Sequence, residues 1–255
     1  MKISRFLPGA MELYSPYEMG TPMNVESLLT CARQIWFTTN QDEIPYAFGG
    51  SGFLCQLGSE IYAVTAKHVV KGQPHNTIFI TRHSKSLKPL HIDEFIEIKP
   101  RDDPNEEWGD LAIYRLQSKM YSPAYFGHEA PYLLPGSVMG WTPNMDGHFL
   151  VRGYPRALSN IDYDTGKIYR SSFDLLAQLD DAPCADGRVQ IRFLNSELDL
   201  DGISGAPVIW VSKDHPCDHC LAGVMLRATA ESSLGWFLHV DVLAKTLVAV
   251  SDSVS

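Results

Sequence analysis

Short apolar runs rich in β-branched residues recur along most of the chain, and clusters of Gly, Pro, Asn and Asp separate them. A 3.6-residue apolar period, typical of a helix, fits only residues 25–33 and residues 240–250. The other runs have the length of strands and lie at residues 61–65, 77–81, 111–116, 149–152, 189–193, 208–211, 221–226 and 236–240. Many short strands with few helices predict an all-β chain of antiparallel barrels or a sandwich, with a short C-terminal helix.

A change in amino-acid composition divides the chain into two β halves. Residues 118–136 are rich in Pro, Gly and Tyr and lack clear alternation, which is typical of a connector. We therefore predict a first β unit at residues 44–118, a connector at 119–135, and a second unit with the terminal helix at 136–255. Residues 1–43 precede the first clear strand and are interpreted as an N-terminal extension that wraps the body or binds a partner.

The net charge and the apolar content limit the kinds of partner that the chain could bind. The 255 residues carry a formal net charge of −9, and no cluster of Lys and Arg suits a nucleic-acid backbone or an anionic membrane surface. With 45% hydrophobic residues the chain can bury a sizeable core, yet no apolar stretch approaches the ~20 residues of a membrane span. Pro8, Gly9 and Glu12 interrupt the N-terminal region before it reaches the apolar length of a signal peptide. We expect a cytoplasmic protein that binds neither nucleic acid nor membranes.

The five cysteines form an odd and sparse set, which favours a reducing compartment over a disulfide scaffold. The densest group is HPCDHC at residues 215–220, where His215, Cys217, His219 and Cys220 are possible zinc ligands. All four lie within one short stretch, and no second distant pair completes a tetrahedron. A polar turn between strands is the favoured interpretation, so we expect neither a metal nor another cofactor.

One serine lies between two glycines in the stretch DGISGAPV at residues 201–208. The hydroxyl of Ser204 is a poor nucleophile unless a base accepts its proton. Gly202 and Gly205 allow the backbone to turn sharply, so the N–H groups of Gly202 and Ser204 can converge as an oxyanion hole. An ordinary tight turn that enters a strand is the alternative, and the motif taken alone favours it.

A base and a carboxylate for such a serine are both found upstream. His68 follows an apolar run, at a position where a strand would end and expose a side chain. Asp110 directly precedes another apolar strand, where partial burial is expected. A lone histidine is more often structural, and an aspartate after glycine more often belongs to a turn. The three residues together, in the order His68, Asp110, Ser204, form a stronger signal than any one of them.

Three short stretches resemble the signature blocks of the trypsin/chymotrypsin-like serine peptidases: TAKH at 65–68, GDLA at 109–112 and DGISGAP at 201–207. The order His, Asp, Ser along the chain is the order of that family. The resemblance covers about residues 44–245 and implies two packed antiparallel six-stranded β-barrels with the site between them. It implies that Ser204 is the nucleophile, that His68 is general base and then general acid, and that Asp110 orients the histidine. It implies no metal or organic cofactor.

Two positions depart from the family pattern. Ile203 replaces the aspartate that zymogen-type members pair with a new N-terminus, so we expect no activation of that kind. The serine loop is then either preformed or ordered by a partner. Leu226 stands where many relatives place a serine beside the triad carboxylate, which would remove one hydrogen bond from Asp110.

The resemblance also places a substrate-binding pocket. Its base is expected near Leu198 and its walls at Arg227, Ala228 and Gly235. The edge strand that begins at Leu226 would pair with an extended substrate backbone. An apolar base predicts a small or medium apolar side chain before the cut bond rather than Lys or Arg, and Arg227 could instead favour an acidic group.

The leading interpretation is a serine endopeptidase that cleaves a protein or peptide substrate through an acyl-enzyme intermediate. Because a cytoplasmic protease must be restrained, we expect a narrow substrate range or gating by a regulatory protein. One alternative is a catalytically weak peptidase-fold module that binds a partner's strand without cutting it. An esterase or acyl transferase with the same three residues is another.

Overall fold

In the computed structural model, the residues that are described form sixteen strands along the apolar runs. The residues that the structure describes are 29–39, 41–83, 86–96, 98, 110–117, 121, 123–126, 129–134, 141–162, 164, 167–180, 187–194, 199–215 and 218–254. None of the helices in these ranges has the length and apolar character that crossing a membrane requires.

The described residues of the N-terminal half form eight strands and two one-turn α-helices. They are β1 (Ala32–Thr38), β2 (Tyr46–Leu57), β3 (Glu60–Ala66), α1 (Lys67–Val70), β4 (Ile78–His83), β5 (Ser86–Pro89), β6 (Ile92–Ile96), β7 (Leu111–Leu116), α2 (Pro123–Phe126) and β8 (Tyr132–Leu133). Seven of the strands pair antiparallel in the order β5-β4-β1-β2-β3-β7-β6, and β8 pairs parallel with β2. The sheet is curled into a half-barrel.

The described residues of the C-terminal half form the other eight strands and a helix of 15 residues. They are β9 (Gly147–Gly153), β10 (Ser159–Asp162), β11 (Lys167–Arg170), β12 (Phe173–Leu179), β13 (Arg188–Phe193), β14 (Pro207–Ser212), β15 (His219–Thr229), β16 (Leu234–His239) and α3 (Val240–Val254). Six strands close into an antiparallel barrel in the order β12-β13-β16-β15-β14-β9, and β10 and β11 form a separate hairpin. Each of the six strands pairs with two neighbours, although residues 227–229 of β15 extend beyond its pairing with β14 and pair only with β16.

Apolar side chains from both halves meet in one shared core. Phe53 and Val64 of the sheet belong to the same buried cluster as Ile209 of the barrel and Leu243 and Leu247 of α3. Each of these side chains is no more than 1% exposed. Burying a side chain of this size contributes roughly 1.5–3 kcal/mol, so the shared core fixes the two halves against each other.

The predicted fold class is confirmed. The chain is all-β, with two packed antiparallel units and a short C-terminal helix, and α3 includes the predicted segment 240–250. The first unit differs in one respect, since its described pairings run from β5 to β6 without joining the ends. It is therefore a curled sheet and not the closed six-stranded barrel that the resemblance implied.

The predicted start of the first unit at residue 44 is wrong. Strand β1 lies between β2 and β4 in the middle of the sheet, so the unit includes residues that were assigned to the extension 1–43. Ala32 and Arg33 are likewise in a strand and not in the helix predicted for 25–33. The sequence did not show the apolar pattern of a strand here because Arg33 and Gln34 are fully buried polar residues within β1. Residues 1–28 lie outside the described ranges.

Candidate active site

His68 and Asp110 come together because their strands are neighbours. Strands β3 and β7 pair antiparallel with Ala66 opposite Leu111, so His68, two residues after β3, and Asp110, directly before β7, lie at one end of the sheet. The Nδ1 of His68 is 2.8 Å from Oδ2 of Asp110, and the backbone N–H of His68 donates to Oδ1 at 2.9 Å. An ionised carboxylate only accepts hydrogen bonds. Asp110 therefore holds a proton on Nδ1 and leaves Nε2 of the neutral ring free to act as a base.

The burial of this pair suits a base that faces a substrate. The side chain of His68 is 40% exposed, whereas that of Asp110 is 19% exposed. Helix α1 is one turn long and carries His68 immediately after the buried end of β3. The imidazole is thus accessible while the carboxylate behind it is largely covered.

Ser204 lies in the loop between β13 and β14, and the backbone of this loop requires glycine at two positions. Gly202 has φ +95° and Gly205 has φ +89°, a region in which other residues are strained. A Cβ at Gly205 would stand 2.2 Å from the carbonyl oxygen of Ser51, and one at Gly202 would stand 2.9 Å from that of Tyr154. The glycines on both sides of Ser204 are therefore needed both for backbone conformation and for space.

The amide groups of the loop alternate between bonded and open. The N–H of Ile203 donates to the carbonyl of Leu200 at 3.2 Å, and the N–H of Gly205 donates to that of Met225 at 2.7 Å. No acceptor among the described residues takes the N–H of Gly202 or of Ser204. These are the two donors that the sequence assigned to an oxyanion hole.

Hydrogen bonds on the opposite side of each peptide group orient the two open donors. The carbonyl of Asp201 accepts the N–H of Arg156 at 2.7 Å, and the carbonyl of Ile203 accepts the N–H of Ala206 at 3.0 Å. A trans peptide points its C=O and N–H in opposite directions. Both N–H groups are thus turned away from the protein atoms that bind the carbonyls.

The hydroxyl of Ser204 donates to a backbone carbonyl. Its Oγ is 2.8 Å from the oxygen of Leu226, which lies at the irregularity in β15 between Met225 and Arg227. No hydrogen bond among the described residues joins this hydroxyl to the ring of His68. The serine loop nevertheless lies beside the end of β3, just before His68, since a Cβ at Gly205 would be 3.0 Å from the backbone N of Ala66.

The predicted substrate-binding residues that the structure describes lie on one hairpin. Arg227 and Ala228 are in β15, and Ala228 is opposite Gly235 of β16. Leu226 is fully buried and faces the site through its carbonyl, not through its side chain. The ring of Phe193 covers Gly235, where a Cβ would stand 2.7 Å from it. Leu198 lies outside the described residues.

Sequence reasoning did not assign Ser51 and Arg156 to the site. Ser51 contacts the serine loop from β2, and Arg156 holds Asp201 both through its backbone N–H and through an ion pair of 2.8 Å. The available signal for Ser51 is the sequence Gly50-Ser51-Gly52, a second serine between two glycines. The partners of both residues are distant in the chain, so local spacing does not reveal them.

No cluster of three His, Cys, Asp or Glu side chains within the described ranges could hold a metal ion. His215, His219 and Cys220 are described, and Cys217 is not. Burial raises the pKa of the Cys31 thiol to about 12 and that of Cys220 to about 11.

Similarity to known proteins does not assign a function to these residues. No protein-family model and no curated protein matches the chain. A functional conclusion consequently depends on the contacts of His68, Asp110 and the Ser204 loop.

Proposed function

We propose that this chain is a serine endopeptidase of the trypsin-like class that cleaves a protein or peptide substrate. The observation that carries the proposal is that one structure contains both an oriented histidine and, beside the end of β3, a serine loop with two open N–H donors. His68 is held by two hydrogen bonds to Asp110, and the Gly202 and Ser204 amides have no acceptor among the described residues. An ordinary turn has no need of either arrangement.

In this mechanism Nε2 of His68 takes the proton of Ser204 as Oγ attacks the carbonyl carbon of the substrate. The carbonyl oxygen becomes negative and accepts the N–H groups of Gly202 and Ser204. The imidazolium, stabilised by Asp110, then protonates the leaving amine, and the C–N bond breaks to give an acyl-enzyme. Water activated by His68 hydrolyses the ester and restores Ser204.

Attack requires one change from the resting geometry. The single proton of the Ser204 hydroxyl is donated to Leu226 in the free protein. The side chain must rotate about its Cα–Cβ bond to donate to His68 instead. We propose that the substrate range is narrow or gated by a regulatory protein, and that the enzyme acts in the cytoplasm without a metal or organic cofactor.

A small or medium apolar side chain before the cut bond is the preference we propose. Phe193 covers Gly235 with an apolar ring and leaves little depth beside that wall. A peptide library cut mainly after Lys or Arg would contradict this preference.

The bond from Ser204 to Leu226 favours a second candidate, a peptidase-fold module that binds a partner's strand without cutting it. In that case the hydroxyl stays on the Leu226 carbonyl and His68 has no proton to accept.

A fluorophosphonate probe separates the two candidates because it reacts only with an activated serine. The full chain is treated beside Ser204→Ala and His68→Ala variants, and the adduct is located by mass spectrometry. The endopeptidase predicts an adduct on Ser204 that both substitutions abolish. A folded protein with no adduct, alone or with candidate partner peptides, would instead be a binding module.

A further inference from the structure

Ser51 donates two hydrogen bonds from the N-terminal sheet to the serine loop, one from its hydroxyl and one from its backbone N–H. It lies in β2 and is fully buried. Its Oγ donates to the carbonyl of Gly202 at 2.6 Å and accepts the N–H of Tyr154 at 2.8 Å. Its backbone N–H donates to the carbonyl of Ser204 at 3.2 Å, and its own carbonyl accepts the hydroxyl of Thr65 at 2.6 Å.

These bonds act where the loop has least intrinsic order. Gly202 has φ +95° and no side chain, so steric exclusion restricts its peptide groups less than it restricts those of any other residue type. The peptide before Gly202 is fixed by the bond from Arg156 to Asp201, and the peptide after it is fixed by the hydroxyl of Ser51. The hydroxyl of Ser51, from the other half of the molecule, thus holds the peptide group that lies between the two peptide groups with open N–H donors.

We infer that Ser51 is a positioning residue that keeps the oxyanion donors of Gly202 and Ser204 formed before substrate arrives. The inference rests on the proposed function of the same site. Ser51 touches no reacting atom and acts through the two carbonyls that it and its N–H bind. A hydroxyl offers one donor and two acceptor positions, and both kinds are used here. Replacement by alanine leaves the buried Gly202 carbonyl and Tyr154 N–H without this partner.

The test measures fluorophosphonate inactivation of the full chain, wild type beside Ser51→Ala. The phosphoryl oxygen of the probe accepts from the same N–H groups as a substrate oxyanion. Removing one oxyanion donor outright costs about 10²–10³ in rate, so disordering the donors is expected to lower kinact roughly 10- to 100-fold. The KI should stay within about twofold and the midpoint of the pH profile of kinact should not move, because the His68–Asp110 pair is untouched.

Thr81→Ala is the matched control, since Thr81 is equally buried in the same sheet and contacts no part of the loop in the described hydrogen bonds. It should leave kinact unchanged in the folded protein. If Ser51→Ala fails to fold, Ser51→Cys keeps a side chain in place with a weak donor, and the same fall in kinact is expected.

Wild-type kinact in a folded Ser51 variant would overturn the inference and leave the proposed function standing. Absence of any Ser204 adduct in the wild-type protein would overturn the proposed function, and this inference with it.

Discussion

At the scale of single residues, the chemistry of the site depends on the positions of two protons, one on His68 and one on Ser204. Asp110 keeps one on Nδ1 of His68 through a contact of 2.8 Å. Leu226 holds the other on Oγ of Ser204. In the proposed mechanism the first arrangement leaves Nε2 free to act as a base, and the second is exchanged for a bond to His68. The sequence suggested these residues as candidates, and it could not predict that the serine hydroxyl donates to a backbone carbonyl.

Asp110→Asn is expected to lower the rate of Ser204 acylation by about 10³–10⁴-fold with little change in fold. The carboxylate accepts two N–H groups of His68, and an amide can accept only one of them with its oxygen. If the amide nitrogen faces the ring, Nδ1 must accept, and the proton moves to Nε2 where the base is needed. Fluorophosphonate kinetics beside a circular dichroism spectrum would measure this.

Asp174→Asn is the control for that substitution. Asp174 accepts two hydrogen bonds of 2.7 Å from Arg152 on the barrel, so it is also a doubly bonded carboxylate. Its loss should change the acylation rate less than twofold. Equal losses in the two variants would show that Asp110 acts only through stability.

The candidate residues could be proposed because three short motifs, around His68, Asp110 and Ser204, occur in the order His, Asp, Ser along the chain. Ser51 could not, because its bond to Gly202 spans 151 positions. Only the pairing of β2 with the barrel's serine loop creates that contact. A serine between two glycines has no distinct local pattern until the sheet and the barrel pack together.

At the scale of elements, the turns need glycine for different reasons. Gly58 and Gly205 both have positive φ, at +59° and +89°. A Cβ at Gly58 would meet nothing within 4 Å, whereas one at Gly205 would meet Ser51 and Thr65 at 2.2 and 2.3 Å. The hairpin between β2 and β3 therefore needs only the conformation, and the serine loop needs the space as well.

Gly58→Ala is expected to cost about 1–2 kcal/mol of unfolding free energy, from the left-handed backbone alone. Gly205→Ala should cost roughly a further 1–3 kcal/mol because the backbone of β2 must shift. Urea unfolding of both variants measures the difference. Equal free energies of unfolding would mean that the loop moves away from β2 without penalty.

Burial in and beside the strands also lowers the reactivity of the cysteine thiols. Burial raises the pKa of Cys31 to about 12, raises that of Cys55 still further above its usual range, and raises that of Cys220 to about 11. Since the thiolate is the reactive form, all three are expected to react far more slowly with iodoacetamide at pH 8 than in urea. Peptide mapping should show Cys220, the least buried, labelled before the other two. Native labelling of Cys31 or Cys55 at the rate of a free thiol would contradict this.

At the scale of the whole molecule, the two halves are linked by elements that composition does not distinguish. Tyr132 of β8 pairs with β2, and its hydroxyl accepts the N–H of Leu221 in β15 at 3.0 Å. Arg33 of β1 is fully buried and donates to the carbonyl of Glu129 in the connector. The two-unit architecture was predictable from the spacing of apolar runs. The role of β1 was not, because its buried Arg33 and Gln34 interrupt the apolar pattern.

Deleting residues 1–43 is therefore expected to prevent folding rather than to release a regulatory arm. The deletion removes β1 from between β2 and β4, and with it Ile35, Trp36 and Phe37, which are 8% exposed or less. Each contributes roughly 1.5–3 kcal/mol, a sum comparable with the whole net stability of about 5–15 kcal/mol.

Deleting only residues 1–28 is the matched comparison, because it leaves every described strand in place. This variant should give a cooperative thermal transition, and fluorophosphonate labelling of Ser204 in it would report any influence of the removed segment on the site. The deletion through residue 43 should yield insoluble protein or no cooperative transition. A cooperative, soluble protein that begins at residue 44 would show that the sheet is stable without β1. The folded unit would then begin at the residue that the sequence first predicted.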